Sequence, residues 1–150
     1  MSQTRQIKIL HVISGLRSGG AEKVLFKIIE KIGPEQHCVI SLTGLGYYGS
    51  KLRDLGVEVI ALDFNSLPKI LKSLGLLLKH IVKFRPDIMQ TWMYHADLLG
   101  GVIGKICGVK IIIWGVRGPY KAVVSPISTR VLVHFCAFLS GWVPTKIVSN

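Results

Sequence analysis

The sequence predicts an α/β fold, built as a single domain around a doubly wound parallel sheet of about six strands. Two observations lead to this class. Short apolar runs alternate along the chain with longer stretches whose apolar residues recur at helical spacing, as expected when crossover helices join parallel strands. The length of 150 residues, 49% of them hydrophobic, fits one domain with a sizeable core. We therefore treat residues 1–150 as one domain.

The stretch from Lys8 to Ile32 is the unit around which the rest of the chain is organised. An apolar run from Ile9 to Ile13 predicts a strand that is covered on both faces. Glycines in Ser14–Gly20 then allow a sharp turn. A helix follows, with Ser18 as its predicted N-cap and Glu22 near the positive end of the helix dipole. Its apolar face comprises Ala21, Val24, Leu25, Ile28, Ile29 and Ile32.

The same alternation continues to the end of the chain. Gly44 to Gly49 is interpreted as a flexible loop carrying Tyr47 and Tyr48. The further predicted strands are His37–Leu42, Val57–Leu62, Asp87–Trp92, Ile111–Val116 and Lys146–Ser149. The further predicted helices are Ser50–Leu55, Ser66–Phe84, Ala96–Cys107 and Ser125–Leu139.

Three glycines fall inside one of these helices, at Gly100, Gly101 and Gly104. Because glycine lowers the stability of a helix, we interpret them as positions where the helix packs closely on the sheet. The expected strand order is 3-2-1-4-5-6, which makes the fold Rossmann-like.

The strand, glycine turn and helix N-terminus at the start of the chain form a natural anion site, because free amides point out of such a turn. Its candidate substrate or donor-phosphate residues are Gly15, Arg17, Ser18, Gly19, Gly20 and Glu22. Two known motifs are excluded. A P-loop needs Lys-Ser/Thr where Ala21-Glu22 stands, and no G-x-G-x-x-G of a dinucleotide site is present.

Charge and cysteine content narrow the class of protein. The net charge is +11, and residues 64–150 hold 11 basic but only two acidic side chains. That asymmetry suggests a surface that meets phosphates, anionic lipid or nucleic acid. The three cysteines, Cys38, Cys107 and Cys136, are scattered within apolar runs, which predicts a reduced cytoplasmic protein without disulfides or a metal site. The polar amino terminus has no signal-peptide pattern.

Ligands of an open α/β sheet lie beyond the carboxyl ends of its strands, near the point where strand order reverses. The predicted loops there are Ser14–Gly20, Met93–His95 and Gly115–Gly118. His95 could act on a substrate hydroxyl or merely cap its own helix. Arg117 could clamp a phosphate or carboxylate, or be a solvated loop arginine. His11, inside the first strand, is interpreted as a core residue.

Five segments resemble family-4 glycosyltransferases, which are retaining enzymes of the two-domain GT-B architecture. The resemblance begins with Val12-Ile13-Ser14-Gly15-Leu16 and Ser18-Gly19-Gly20-Ala21-Glu22. It continues after strands four and five in Thr91–Gly100 and Trp114–Arg117, and ends in Trp142–Asn150. Several family members carry a histidine at the position of Arg117.

The resemblance implies a fold, an activity and roles for residues. The chain would be the amino-terminal, acceptor-side half of a GT-B enzyme, without the nucleotide-sugar domain and inactive alone. The enzyme would transfer a sugar from a nucleotide sugar, expected to be a UDP-sugar, to a glycan or lipid-linked acceptor in polysaccharide biosynthesis. His95 and Arg117 would be catalytic, and Tyr94 and Asp97 would belong to the acceptor loop. No metal and no other cofactor is implied.

The predicted Ser66–Phe84 helix is amphipathic and basic. Lys69, Lys72, Lys79 and Lys83 mostly share one side of it. Such a helix can lie on anionic lipid, which would make the protein cytoplasmic and peripheral on the inner face of the membrane. The alternative is an ordinary solvated face above a stripe that faces the core.

Two rival functions stay open. The chain could be another nucleotide-binding Rossmann-like domain, or a basic module that binds nucleic acid. Nucleic acid is not the expected partner, because the aromatic residues are not interleaved with the basic ones as a stacking surface requires.

Overall fold

The computed structural model describes residues 6–64, 67–116 and 127–149. The strands in these residues are β1 (Ile9–Ile13), β2 (His37–Ser41), β3 (Glu58–Ala61), β4 (Ile88–Trp92), β5 (Ile111–Val116) and β6 (Lys146–Ser149). The helices are α1 (Gly20–Ile32), α2 (Gly46–Asp54), α3 (Leu67–Phe84), α4 (Tyr94–Ile106) and α5 (Ile127–Leu139).

The six strands form one sheet in the order β3-β2-β1-β4-β5-β6, and every neighbouring pair is parallel. The α/β class, the parallel sheet and the strand order predicted from the sequence are therefore confirmed. Strand order reverses between β1 and β4, so the carboxyl ends of these two strands mark the expected ligand edge.

Apolar cores lie on both faces of the sheet, because alternate side chains of a strand point to opposite faces. Leu10 and Val12 of β1 belong to the core that also contains residues of α3, α4 and α5. Ile13 belongs to the other core, which contains residues of α1 and α2. The helices α1 and α2 thus cover one face, and α3, α4 and α5 cover the opposite face.

The glycines of α4 are in close contact with the sheet, as predicted. A Cβ atom on Gly100 would lie 3.0 Å from Val12 Cγ1, and one on Gly104 would lie 2.6 Å from Met89 Sδ. A Cβ on Gly101 would overlap the indole nitrogen of Trp114. Any larger residue would push α4 away from β1, β4 and β5.

Several predicted helix starts are wrong. The helix α2 begins at Gly46, four residues before the predicted Ser50, so Tyr47 and Tyr48 are helical. The helix α4 begins at Tyr94 rather than Ala96. The N-cap of α1 is Gly19 instead of Ser18, and no side chain caps that helix. The predicted starts of two other helices, at Ser66 and Ser125, lie outside the described residues.

The early start of α2 has a tertiary cause. The backbone N–H of Tyr48 donates a 2.9 Å hydrogen bond to the carbonyl oxygen of Leu16. Gly46, with φ at 57°, packs against the same carbonyl group. These contacts with the β1–α1 loop outweigh the poor helix propensity of the Gly-Tyr-Tyr-Gly stretch.

Candidate functional site

The sheet brings two of the three predicted loops to one edge. Ile13 pairs in register with Trp92, and Trp92 pairs with Gly115. The loops that follow β1 and β4 therefore leave the sheet side by side at its carboxyl edge. Gly115 lies at the same level, but Arg117 and Gly118, which complete the third predicted loop, lie outside the described residues.

The β1–α1 loop is fixed by contacts with the segment between β2 and α2. Thr43 Oγ1 donates a 2.9 Å hydrogen bond to the carbonyl oxygen of Ser14, and Leu16 is fully buried. A Cβ atom on Gly46 would overlap the carbonyl of Leu16. Sequence reasoning missed this second segment as part of the site; the Gly44 and Gly46 pair directly after β2 was its only local signal.

The predicted phosphate-binding turn is exposed but already has an anion beside it. Arg17, Ser18, Gly19 and Gly20 are exposed, whereas the side chain of Glu22 is buried. Its carboxylate lies against Gly19, at the N-terminus of α1. Because this carboxylate offsets part of the positive charge at the helix N-terminus, the turn favours a ligand that donates hydrogen bonds over a second anion.

The residue at the switch point, Met93, has a strained backbone. Its φ and ψ angles of 72° and 155° fall in a region that side-chain-bearing residues rarely occupy, at a cost of about 1–3 kcal/mol. Two hydrogen bonds hold it there. The N–H of Met93 donates to the carbonyl oxygen of Gly115 at 3.1 Å, and its own carbonyl accepts from the N–H of Asp97 at 2.9 Å. The surrounding fold thus fixes the start of the Met93–His95 loop.

Asp97 is a buried support of this loop. Thr91 Oγ1 donates a 2.6 Å hydrogen bond to Asp97 Oδ1, and Asp97 is fully buried. Its burial raises the pKa of the carboxyl to about 6, although hydrogen bonds from Thr91 and the Gly115 backbone oppose this shift. The prediction placed Asp97 in the acceptor loop. The structure places its carboxylate behind that loop, so Asp97 is not exposed to an acceptor.

The other two predicted residues of this loop differ in exposure. His95 is exposed at the second position of α4. Tyr94 is half-buried and packs against the core beneath α4, and its carbonyl oxygen accepts a 3.5 Å hydrogen bond from Cys136 Sγ. Of the predicted residues in this loop, His95 is therefore the one best placed to meet a ligand from solvent.

A buried chain of aromatic nitrogens lies in the sheet beneath the same edge. Trp92 Nε1 donates a 3.3 Å hydrogen bond to His11 Nδ1. Because that bond makes Nδ1 the acceptor, neutral His11 carries its proton on Nε2 and donates it to His37 Nδ1 at 3.0 Å. Burial, together with the charge of His37, lowers the pKa of His11 to about 3. The interpretation of His11 as a core residue is confirmed.

The four predicted membrane-contacting lysines are all exposed on α3. Lys69 Nζ forms a 2.7 Å ion pair with Asp63 Oδ2, so it is partly neutralised. Within the described part of the chain, no helix is both long and apolar enough to cross a membrane. The described residues also contain no cluster of three His, Cys, Asp or Glu side chains that could hold a metal ion.

Comparison with solved structures finds the same fold in larger proteins. The crystal structure of Anabaena Alr3699/HepE in complex with UDP has a TM-score of 0.78 and 14% sequence identity, covering 96% of this chain and 38% of that chain. A HepE structure in complex with UDP-glucose has a TM-score of 0.75 and 15% identity, with 96% and 37% covered. The crystal structure of Acinetobacter baumannii MurG has a TM-score of 0.65 and 12% sequence identity, covering 96% of this chain and 41% of that chain.

These neighbours are GT-B glycosyltransferases, and the six-stranded sheet matches the Rossmann-like half of that architecture. The chain spans roughly two fifths of the length of the structures it matches. No protein-family model matches the sequence, and no curated protein matches it.

Proposed function

We propose that this chain is the amino-terminal, acceptor-side half of a retaining glycosyltransferase of family 4. The enzyme would move a sugar from a nucleotide sugar to a glycan or lipid-linked acceptor. The observation that carries the proposal is the paired edge after β1 and β4, where an exposed glycine turn lies beside a strained loop ending in His95. Its fold is shared with a structure that contains UDP-glucose.

Each part of the edge suits one task in sugar transfer. His95 is exposed and can accept the proton of an acceptor hydroxyl or orient that hydroxyl. The exposed β1–α1 turn presents backbone groups that can form hydrogen bonds with sugar hydroxyls. Arg117 would offer a cation to the donor phosphates. Asp97 and Thr91 would serve by holding the Met93–His95 loop in place.

The donor is expected to be a UDP-sugar bound mainly by a carboxy-terminal domain. The amino-terminal half alone would then lack the donor site. Because catalysis depends on holding both reactants in register, that half would be inactive by itself. We further propose that the protein works at the cytoplasmic side of an anionic membrane, with the lysines of α3 facing lipid headgroups.

Calorimetry with the isolated chain tests the division of roles. We expect a UDP-sugar to bind with a Kd weaker than about 1 mM, which corresponds to roughly 4 kcal/mol of binding free energy. Binding in the low micromolar range would contradict the acceptor-side assignment. Tight binding of NAD instead would favour the rival proposal of another nucleotide-binding Rossmann-like domain.

A further inference from the structure

A row of three buried aromatic side chains crosses the sheet diagonally towards the switch point. His37 lies at the start of β2, His11 in the middle of β1 and Trp92 at the end of β4. The imidazole rings of His11 and His37 are stacked, with their centroids 5.2 Å apart. All three side chains are buried. The row therefore links the amino end of β2 to the residue that precedes Met93.

Two hydrogen bonds fix where the protons of the row lie. The indole nitrogen of Trp92 is only a donor, and it donates to His11 Nδ1 at 3.3 Å. His11 therefore carries its proton on Nε2 and donates it to His37 Nδ1 at 3.0 Å. The proton of neutral His37 is then on Nε2, a buried atom with no hydrogen-bond partner among the described residues. The row thus donates in one direction, from Trp92 to His37.

The charge on the row depends on burial and on Glu35. The side chains that share this core with Trp92 are apolar and include Leu25 and Ile29 of α1, Leu52 of α2 and Val59 of β3. The Glu22 side chain lies against Gly19 at the start of α1, and the other charged side chains of α1, α2 and β3 are exposed. Burial lowers the pKa of His37 below its usual 6.5, and the Glu35 carboxylate opposes this shift. Because burial lowers the pKa of His11 further, to about 3, His37 takes the first proton.

One added proton must break one of the two hydrogen bonds of the row. Once His37 carries a proton on both nitrogens, its Nδ1 can only donate, so His11 Nε2 has to become the acceptor. Neutral His11 then carries its own proton on Nδ1, where it opposes the N–H of Trp92. The 3.0 Å bond between the imidazoles gains a charged donor and is strengthened. The neutral 3.3 Å bond from Trp92 is therefore the one that breaks.

The bond from Trp92 matters to the candidate site because Met93 is the next residue. The side chain of Met93 packs against the core that contains Trp92, and the φ angle of Met93 is 72°. Strain of this kind persists only while the surrounding structure holds it. When Trp92 loses His11 as an acceptor, one of the contacts that hold the start of the Met93–His95 loop is lost.

We propose that His11 and His37 are positioning residues for the Met93–His95 loop, which they hold through Trp92 and release when the pair takes up one proton. The part of this loop in sugar transfer rests on the proposed function. The release is a property of the chain by itself and is measured without a substrate.

Nuclear magnetic resonance of the chain between about pH 7.5 and pH 4.5 tests the release. The indole N–H signal of Trp92 should shift with the same midpoint as the ring signals of His37, below pH 6.5. The indole signal of Trp114, in the core on the other face of the sheet, should stay constant and shows that the protein remains folded. Glu35→Gln, at an exposed position, should move both midpoints to lower pH, because the carboxylate raises the pKa of His37.

Hydrogen exchange of the Met93 amide measures the loop in the same samples. This amide donates to the Gly115 carbonyl at 3.1 Å, and its protection, corrected for the intrinsic effect of pH, should fall at least about tenfold across the His37 midpoint. The amide of Cys107, bonded to Ile103 at the far end of α4, should keep its protection. Glu35→Gln should move the loss at Met93 to lower pH together with the Trp92 shift.

Replacement of the histidine itself supplies the matched pair of variants. In His37→Gln, the amide oxygen can accept from His11 but cannot titrate. This variant should abolish the Trp92 shift and the loss of Met93 protection that shares its midpoint. His134→Gln, at an exposed histidine of α5, should leave both unchanged.

Three results would overturn the inference. A Trp92 signal that stays constant while His37 titrates would show that the two imidazoles separate instead. A Trp92 shift without loss of Met93 protection would show that the loop does not depend on the row. A Trp92 shift that persists in His37→Gln, or that keeps its midpoint in Glu35→Gln, would assign the titration to another group. Sugar transfer is measured separately in the longer protein, so the release and the proposed function can fail independently.

Discussion

The Asp97 carboxylate accepts a 2.6 Å hydrogen bond from Thr91 Oγ1 inside the protein, directly behind the strained residue Met93. On the other side of the strained loop, Trp92 donates to the buried His11. Two buried titratable groups thus flank the same loop, and burial shifts their pKa values in opposite directions.

The two shifts have opposite consequences for stability. The folded protein holds the proton of Asp97 more tightly than the unfolded chain does. The contribution of Asp97 to the free energy of unfolding is therefore lost as pH rises from about 4 to about 6. His11 has a pKa of about 3 when folded and about 6.5 when unfolded, so its contribution is lost as pH falls through that window. Each slope approaches 1.4 kcal/mol per pH unit, and between pH 4 and 6 they partly cancel.

Asp97→Asn should leave the pH dependence of stability to be set mainly by His11. The amide keeps an oxygen for Thr91 but cannot titrate, so the free energy of unfolding should rise with pH more steeply than in the original protein, by up to about 1.4 kcal/mol per unit between pH 4 and 6. Urea unfolding at pH 4, 5 and 6 measures this slope. Asp63→Asn, at an exposed ion pair, is the control. Equal slopes in Asp97→Asn and the original protein would show that Asp97 does not titrate as described.

His11→Gln should have the opposite effect. Without the buried imidazole, the loss of stability on acidification should become shallower, because the remaining Asp97 contribution opposes it. The same urea series measures the change, with the exposed His134 of α5 replaced by Gln as the control. A variant as acid-sensitive as the original protein would place the acid-labile group elsewhere.

Gly46→Ala should weaken the contacts between α2 and the carbonyl of Leu16 in the β1–α1 loop. Its positive φ and the overlap of a Cβ with the Leu16 carbonyl predict a loss of about 1–3 kcal/mol in unfolding free energy. Gly44→Ala is a matched control two residues away, where an added Cβ meets nothing within 4 Å. Chemical denaturation of both variants measures this loss. Equal denaturation midpoints for the two variants would show that the contacts of Gly46 with the Leu16 carbonyl do not stabilise the fold.

Alanine at two helical glycines should change stability in opposite directions. Gly100→Ala forces a Cβ to within 3.0–3.2 Å of Val12 and Thr91, and we expect a loss of about 1–3 kcal/mol. Gly75→Ala in α3 adds a methyl group where nothing lies within 4 Å, so helix propensity should raise stability by about 0.5–1 kcal/mol. Thermal melting of the pair measures both. A stabilised Gly100→Ala variant would contradict the close packing of α4 on the sheet.

Much of the fold follows from the sequence because the strands are short apolar runs and the helices have a continuous apolar face. The errors arise where tertiary contacts override local preference. Gly46 starts a helix because the N–H of Tyr48 bonds to the carbonyl of Leu16, and the glycines that follow β2 are the only local sign of this contact in the sequence. The sequence places Asp97 near the site, but only the fold shows that this residue is buried and bonded to Thr91. The row of His37, His11 and Trp92 likewise exists only once three strands are side by side.

We propose that this domain supplies the acceptor side of sugar transfer. The measurement that tests it most directly is UDP release from a UDP-sugar, by the chain alone and by a longer protein that joins it to a nucleotide-sugar domain. We expect no turnover by the chain alone. The longer protein should be active, with a rate at least about 100-fold lower after His95→Ala and unchanged after His134→Ala. Turnover by the isolated chain, or a His95→Ala enzyme as fast as the original, would contradict it.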